Sequence, residues 1–335
     1  MSYKIAVFDA KPYDEAVFNK TNEKYGFELI FHKEHLDQNN AILASECDAV
    51  CIFVNAVVDS TTVNKLKKLG IKLIALRCAG FNNVDLKVAA EAGIKVARVP
   101  EYSPHAIAEH TLALMLSLNR KVHRAFLRTR DGNFSLHGFL GFDMAGKTIG
   151  VVGTGRIGRT VIDVLQGFGM NILAHDVFPN EEFAKKSGIK YVSLEEIYSQ
   201  SDIITLHCPL TKETEYMICD KSISMMKDGV MIINTGRGKL INTKHLIEGL
   251  ITRKVGYAGL DVYEEEGNYF YEDRSDSVMT DDVLARLLSF NNVIVTSHQA
   301  FFTQEAMFNI ASTTFNNISD FFSGKPLVNE VVYKE

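Results

Sequence analysis

The stretch Thr148-Ile149-Gly150-Val151-Val152-Gly153-Thr154-Gly155-Arg156-Ile157-Gly158 decides the reading of this chain. An apolar run passes directly into Gly-x-Gly-x-x-Gly, and beyond Gly158 the apolar residues Val161, Val164, Leu165 and Phe168 share one helical stripe. Strand, tight turn and amphipathic helix therefore follow one another without a gap. In such a turn the first glycine permits the bend, the second lets backbone approach a pyrophosphate, and the third lets helix and strand pack closely. The helix N-terminus adds free N–H groups and the positive end of a dipole. Gly153, Gly155, Arg156, Ile157 and Gly158 are accordingly expected to hold a dinucleotide.

The next apolar run, Asn171–His175, reads as a second strand and ends at Asp176, twenty-three positions after Gly153. A ribose-binding acid belongs at that place. A carboxylate there accepts hydrogen bonds from the 2′- and 3′-hydroxyls of NAD and repels the 2′-phosphate of NADP, so NAD is the expected cofactor. The plainer alternative is a glycine turn followed by an ordinary strand-end acid. Strand, helix, second strand and terminal acid in succession count against it.

Bulk properties narrow the remaining classes. A chain of 335 residues has material for about two domains, and 46% hydrophobic with 23% charged residues is ordinary for a globular protein. A net charge of −5 with no long basic block argues against a nucleic-acid partner. The N-terminal apolar run is short and stopped by Asp9, and no stretch approaches a membrane span, so no membrane role is expected. Cys47, Cys51, Cys78, Cys208 and Cys219 show no Cys-x-x-Cys spacing. They read as reduced thiols in a cytoplasmic protein, with no metal implied.

Along the chain, Tyr3–Phe8, Glu28–Phe31, Ala49–Val54, Leu73–Leu76 and Ile94–Val99 are strand-like runs separated by helical patterns such as Tyr13–Tyr25, Thr61–Leu69 and 85–92. This alternation predicts a parallel-sheet domain with no phosphate loop of its own, suited to substrate. The segment Pro100-Glu101-Tyr102-Ser103-Pro104 breaks the pattern and marks a domain crossing. A long helix from Ala106 to Arg130 follows, then an irregular segment, Asp131–Gly146. The dinucleotide domain is expected to carry six parallel strands, adding Ile203–His207, Val230–Asn234, Tyr257–Asp261 and Val293–Thr296 to the two above, and a capping box at Ser193 opens a short helix between them. A helix over Gln304–Ser323 and an extended piece over Leu327–Val332 complete the chain. The fold class is α/β, with two Rossmann-like parallel-sheet domains and an active-site cleft between them.

In open parallel sheets the chemistry gathers at the carboxyl ends of the strands. His207, Cys208, Pro209, Thr235, Gly236 and Asp261 stand at or just beyond such ends and are expected to contact the cofactor. Hydride transfer to a carbonyl further needs a cation that anchors the substrate and a proton donor. Arg237, flanked by Gly236 and Gly238, offers a guanidinium that forks onto a carboxylate, although an Arg in a glycine turn is also common on ordinary surfaces. His298, after the last strand, is the natural acid, and the run Glu264-Glu265-Glu266 can supply a carboxylate to steady its ring. Spacing does not choose among the three acids, and such a charge run is also common as a solvated face.

Six motifs now stand in order: Cys78-Ala79-Gly80-Phe81-Asn82-Asn83-Val84-Asp85, Tyr102–His110, the glycine fingerprint, Asn234-Thr235-Gly236-Arg237-Gly238, Asp261-Val262-Tyr263-Glu264-Glu265-Glu266 and Ser297-His298-Gln299-Ala300-Phe301. Over nearly its whole length the chain resembles the D-isomer-specific 2-hydroxyacid dehydrogenases. The resemblance implies Arg237 as anchor of the substrate carboxylate, His298 as acid and base, Glu266 as its carboxylate partner and Asp261 as a supporting acid. It implies that Ala79 and Gly80 offer backbone N–H groups to the substrate, and that Tyr102 and Phe301 line a small pocket. The implied reaction is reversible hydride transfer between NADH and a small 2-oxo acid, with pyruvate and D-lactate as the expected pair. A bulkier 2-oxo acid is the nearest alternative, and a non-catalytic NAD-sensing protein a more distant one. A discontinuous substrate domain over residues 1–101 and 300–335, an NAD domain over 102–299, and a homodimer or homotetramer assembled through the NAD domains are also implied. Ser297 stands where many members have Pro, which removes a rigid φ before the histidine.

Overall fold

A computed structural model describes residues 2–333. The chain divides into two compact units, Met1–Ser103 with Phe302–Glu335, and Pro104–Phe301. Each is an α/β layer built on one parallel sheet, which is the expected fold class.

The sheet of the first unit contains β1 (Lys4–Val7), β2 (Glu28–Phe31), β3 (Ala49–Ile52), β4 (Leu73–Leu76) and β5 (Lys95–Ala97), in the order β2-β1-β3-β4-β5. Successive residues of a strand face opposite sides, so an unbroken apolar run buries both faces. Ala6, Val50, Ile52, Ile74, Leu76 and Val96 enter one core, whereas Ile5, Val7, Ala49, Cys51, Leu73, Ala75 and Ala97 enter the other. The second of these cores is closed by the helices Pro12–Asn22 and Gln304–Phe322. Phe315 is fully buried there, with its ring centroid 5.2 Å from Phe18 and 5.4 Å from Tyr25. A helix from the end of the chain thus completes a core begun at its start.

The second unit holds β6 (Thr148–Val152), β7 (Asn171–His175), β8 (Lys190–Tyr191), β9 (Ile203–Leu206), β10 (Val230–Asn234), β11 (Val255–Leu260) and β12 (Val293–Val295). Their order is β12-β11-β10-β9-β6-β7-β8. Strand order reverses between β6 and β9, so the carboxyl ends of these two neighbours flank the crevice where connections leave in opposite directions.

Three expectations need correction. The sheet has seven strands rather than six, because β8 is two residues long and leaves no periodic trace in the sequence. The helix expected over Ala106–Arg130 is two helices, Pro104–Arg120 and Val122–Arg130. Lys121 separates them at φ +52, a left-handed conformation that ends the α ladder, while its Nζ donates to the carbonyl of Leu140 at 2.6 Å. The end of the chain is no full strand: Glu330 makes a single antiparallel bridge to Ala97, and Val331 N donates to the Val96 carbonyl at 2.8 Å.

Candidate active site

Backbone crowding explains the fingerprint glycines. Gly153 has φ +91, and a Cβ there would lie 2.5 Å from Cys208 N and 2.6 Å from the carbonyl carbon of His207. The ends of β6 and β9 therefore come together only over a glycine. A Cβ on Gly158 would stand 1.9 Å from the Gly153 carbonyl oxygen, so the helix Arg156–Gln166 packs against the turn at a distance no other residue allows. Gly155, its N-cap, has open space around it. Arg156 is exposed, whereas Ile157 leans on the apolar core behind the sheet.

Asp176 follows β7 with its carboxylate already oriented. Oδ2 accepts from Thr154 N at 2.6 Å and Thr154 Oγ1 at 3.0 Å, and Oδ1 accepts from Phe178 N at 2.9 Å. Partial burial pushes its pKa up, but these hydrogen bonds outweigh it and hold the carboxyl below its ordinary value. Oδ1 keeps a lone pair for a hydroxyl.

His207 follows β9, with Nε2 2.9 Å from Thr205 Oγ1. Burial pushes its pKa down to about 4, so the ring is neutral at physiological pH. Cys208 is half-buried with its sulfur 3.6 Å from that of Met217, and burial pushes its thiol up to about 11. Pro209 lies exposed, its carbonyl accepting from Thr214 Oγ1 at 2.7 Å.

The turn after β10 is tied by Asn234. Its Oδ1 accepts from Gly236 N at 3.0 Å and its Nδ2 donates to the Arg237 carbonyl at 2.9 Å. Thr235 is buried, with its hydroxyl 3.0 Å from that of Thr111. A Cβ on Gly238 would stand 2.1 Å from the carbonyl of Tyr263, so this glycine is required for the two loops to touch. Arg237 between these glycines is exposed, and Nη1 donates to the Gly236 carbonyl at 2.9 Å. Four of the five N–H donors of its guanidinium lie outside that bond.

Asp261, beyond β11, has no solvent exposure. Its Oδ1 accepts from Thr296 Oγ1 at 2.5 Å and Gln299 N at 2.9 Å, and its Oδ2 from Ala300 N at 2.8 Å. His110 Nε2 stands 3.4 Å from Oδ1. Burial raises this pKa, yet the hydrogen bonds from His110, Thr296, Ala300 and Gln299 hold it below the ordinary value. The backbone carbonyl of Asp261 also accepts from His298 N at 2.7 Å. Residues on both sides of His298 are thus tied to one buried acid.

His298 itself has φ +52, an uncommon conformation for a residue with a Cβ. Its carbonyl accepts from Tyr271 OH at 3.0 Å, and Nδ1 lies 2.8 Å from Glu266 Oε1. The other oxygen of Glu266 accepts from Tyr263 N at 3.0 Å. Of the three adjacent acids it is therefore Glu266 that reaches the ring, while Glu264 Oε1 accepts from Thr243 N at 2.6 Å. With Nδ1 engaged, Nε2 is the nitrogen left for proton exchange.

In the first unit, Ala79 and Gly80 are half-buried in the loop after β4. The Ala79 carbonyl accepts from Arg98 Nη1 at 2.8 Å, and the Gly80 carbonyl lies 3.3 Å from Cys78 Sγ. Tyr102 is half-buried, its carbonyl accepting from Asn309 Nδ2 at 2.7 Å. Phe301, half-buried, ends the second unit. The second unit thus brings Asp261, Glu266 and His298 into one network, and it places Arg237 on the neighbouring strand end without a bond to that network among the described contacts. Thr154, Tyr191, His110, Thr296 and Tyr271 escaped the sequence reading. Thr154 lies inside the fingerprint and Thr296 two residues before His298; Tyr191 and Tyr271 carry no local signal.

Residues 112–300 match the family described as D-isomer specific 2-hydroxyacid dehydrogenase, NAD binding domain. The chain belongs to that family. The 2-hydroxyacid dehydrogenase homolog of Haemophilus influenzae is 51% identical, covering 98% of this chain and 99% of its own. The D-lactate dehydrogenase of Escherichia coli is 49% identical over 98% of this chain and 100% of that one. A solved structure titled for the pyruvate reductase of Chlamydomonas reinhardtii superposes with a TM-score of 0.94 at 42% identity, covering 98% of both chains. As a family member the chain is an oxidoreductase with NAD as cofactor. Its own geometry fits that group: open space over Gly155, a helix beginning at Arg156 and an oriented carboxylate at Asp176 are what a pyrophosphate and a ribose diol require. Among the described residues no helix is long and apolar enough to cross a membrane.

The neutral His207 has a consequence for stability. An unfolded chain protonates this imidazole near its ordinary 6.5, whereas the folded chain resists until about 4. The unfolded state therefore gains protons first, and the stability linked to His207 is whole above about pH 6.5 and drains as the pH falls to about 4. Histidine-selective NMR of the folded protein should find a His207 midpoint near 4; a midpoint near 6.5 would contradict the assignment.

Proposed function

We propose that this enzyme interconverts pyruvate and D-lactate, with the ring of His298 held on Glu266 as the observation that carries the reading. NADH, when bound, supplies the hydride, and the protein must supply a proton to the carbonyl oxygen. Nδ1 of His298 is held by the Glu266 carboxylate, so Nε2 is the nitrogen that gives the proton in reduction and takes it back in oxidation. Gln or Asn in place of His298 would hold a shape without a transferable proton. Arg237 forks onto the substrate carboxylate, supported by its glycine-flanked turn and exposed guanidinium.

Further roles rest on the motifs. Ala79 and Gly80 donate backbone N–H groups to the substrate, and Tyr102 and Phe301 limit the space around a methyl group. Gly153, Gly155, Arg156, Ile157 and Gly158 hold the pyrophosphate, Asp176 the adenosine ribose, and His207, Cys208, Pro209, Thr235, Gly236 and Asp261 the remainder of the cofactor. The first unit serves the substrate and the second the cofactor. The close likeness to D-lactate dehydrogenase of Escherichia coli supports the choice of substrate and of hand. A cysteine set without paired spacing supports a cytoplasmic site.

Self-association is the natural fate of one surface of the second unit. Val122, Phe126 and Leu127 on the helix Val122–Arg130 are 57–62% exposed, and Phe134, Leu136 and Leu140 in the following segment are 76–89% exposed. So many large apolar groups side by side in the sequence mark an interface, and a second copy of the chain is the proposed occupant, giving a homodimer or homotetramer. Sedimentation should give a mass that is a multiple of the chain mass; a monomer at micromolar concentration would exclude the assembly.

Arg237→Lys keeps the charge and loses the fork. Catalytic efficiency with pyruvate should fall about a hundredfold or more, equivalent to about 3 kcal/mol of transition-state stabilisation, while the NADH dissociation constant stays within about twofold. Steady-state kinetics beside NADH titration measure both, and unaltered pyruvate kinetics would remove Arg237 from the site.

A further inference from the structure

Asp176 does not choose its own orientation. An ionised carboxylate only accepts hydrogen bonds, so the single hydroxyl proton of Thr154 is committed to Asp176 Oδ2 at 3.0 Å. The hydroxyl of Tyr191 lies 2.8 Å from Thr154 Oγ1, and with the threonine proton spent, Tyr191 must be the donor to it. Protons therefore run one way, from Tyr191 to Thr154 to Asp176. The donor end of this relay lies in the sheet, and its middle member is buried and held. Tyr191 lies on β8 opposite Ala174 of β7, and Thr154 is 1% exposed with its carbonyl held by Arg159 Nε at 2.8 Å.

Oδ2 takes two donors from Thr154, its N–H and its hydroxyl, and is saturated, whereas among the described residues Oδ1 takes only Phe178 N. The carboxylate is thus turned with one defined lone pair left for a ligand, and its charge cannot swing aside to make room for a second anion. Rotation would break a charge-assisted pair of bonds.

We propose that Thr154 and Tyr191 are positioning residues that lock Asp176 and thereby set the preference for NAD over NADP. This rests on the reading of Asp176 as the ribose acceptor. Thr154 and Tyr191 act through the acid: they prepay its orientation for the diol of NAD and deny a 2′-phosphate the relaxation it needs.

Dissociation constants for NADH and NADPH, measured by cofactor fluorescence and calorimetry on the otherwise intact protein, test the lock. Thr154→Val keeps the shape and removes the hydroxyl. It should weaken NADH about five- to tenfold and NADPH much less, narrowing the preference by a similar factor. Tyr191→Phe should act in the same direction at about two- to fivefold, and Thr154→Ser should recover most of the loss. In an Asp176→Ala background, Thr154→Val should change NADH binding by less than about twofold, because the residue through which it acts is gone. A merely structural role predicts otherwise: equal weakening of both cofactors, or a full effect persisting without Asp176, would overturn the lock. Should Asp176→Ala itself leave both constants unchanged, the ribose reading fails too; should it alter them while Thr154→Val and Tyr191→Phe do not, the lock alone fails.

Discussion

One buried carboxylate, Asp261, holds together the loops at the strand ends of the second unit. Asp261 receives the side chain of Thr296 and the backbone N–H groups of Gln299 and Ala300, so the segment after β12 is drawn onto the end of β11. His298 sits in the middle of that segment at φ +52. A left-handed histidine costs about 1–2 kcal/mol and persists only where its surroundings over-determine it. Here its N–H is bound to the Asp261 carbonyl, its own carbonyl to Tyr271, and Nδ1 to Glu266. Three hydrogen bonds, two on its backbone and one on its ring, fix this histidine. The acid that holds the loop and the acid that holds the ring are different residues, which separates the placing of the histidine from the orienting of its ring. That division also answers the loss of a proline before the histidine. Ser297 contributes no rigid φ, and the hydrogen bonds to Asp261 supply the constraint in its place.

Glycine plays the complementary part where backbones must meet. Gly153 admits the end of β9, Gly158 admits the helix against the turn, and Gly238 admits the loop carrying Tyr263. Each contact is one that a single methyl would forbid. Polar side chains then tie the loops so assembled: Asn234 ties the turn that presents Arg237, and Thr154 ties the acid after β7. The candidate residues therefore project from strand ends whose spacing is set by missing side chains and whose orientation is set by satisfied hydrogen bonds.

Much of this was legible in the sequence because its signals are local. The α/β class follows from apolar runs alternating with amphipathic stretches, and the glycine spacing locates the switch in strand order. Arg237, Asp261 and His298 stand at strand ends, so topology alone singles them out. Other features depend on contacts far apart in sequence and leave no periodic trace. Two residues of β8 pair with β7 without an apolar pattern, and the turn at Lys121 interrupts a helical pattern that continues on both sides of it. The choice of Glu266 over Glu264 is likewise a matter of register, since Glu264 is taken by the N–H of Thr243 while Glu266 is left to the histidine. Tyr191 and His110 reach Thr154 and Asp261 from positions 37 and about 150 residues distant, which no spacing rule anticipates.

The central claim is that this arrangement moves a hydride and a proton onto pyruvate and yields one hand of the product. Absorbance at the NADH band after adding pyruvate to the purified protein, followed by chiral separation of the lactate formed, tests it most directly. The account predicts stoichiometric loss of NADH, formation of D-lactate alone, and loss of that turnover in His298→Gln with NADH still bound. L-lactate, or NADH consumption that survives the loss of His298, would contradict it.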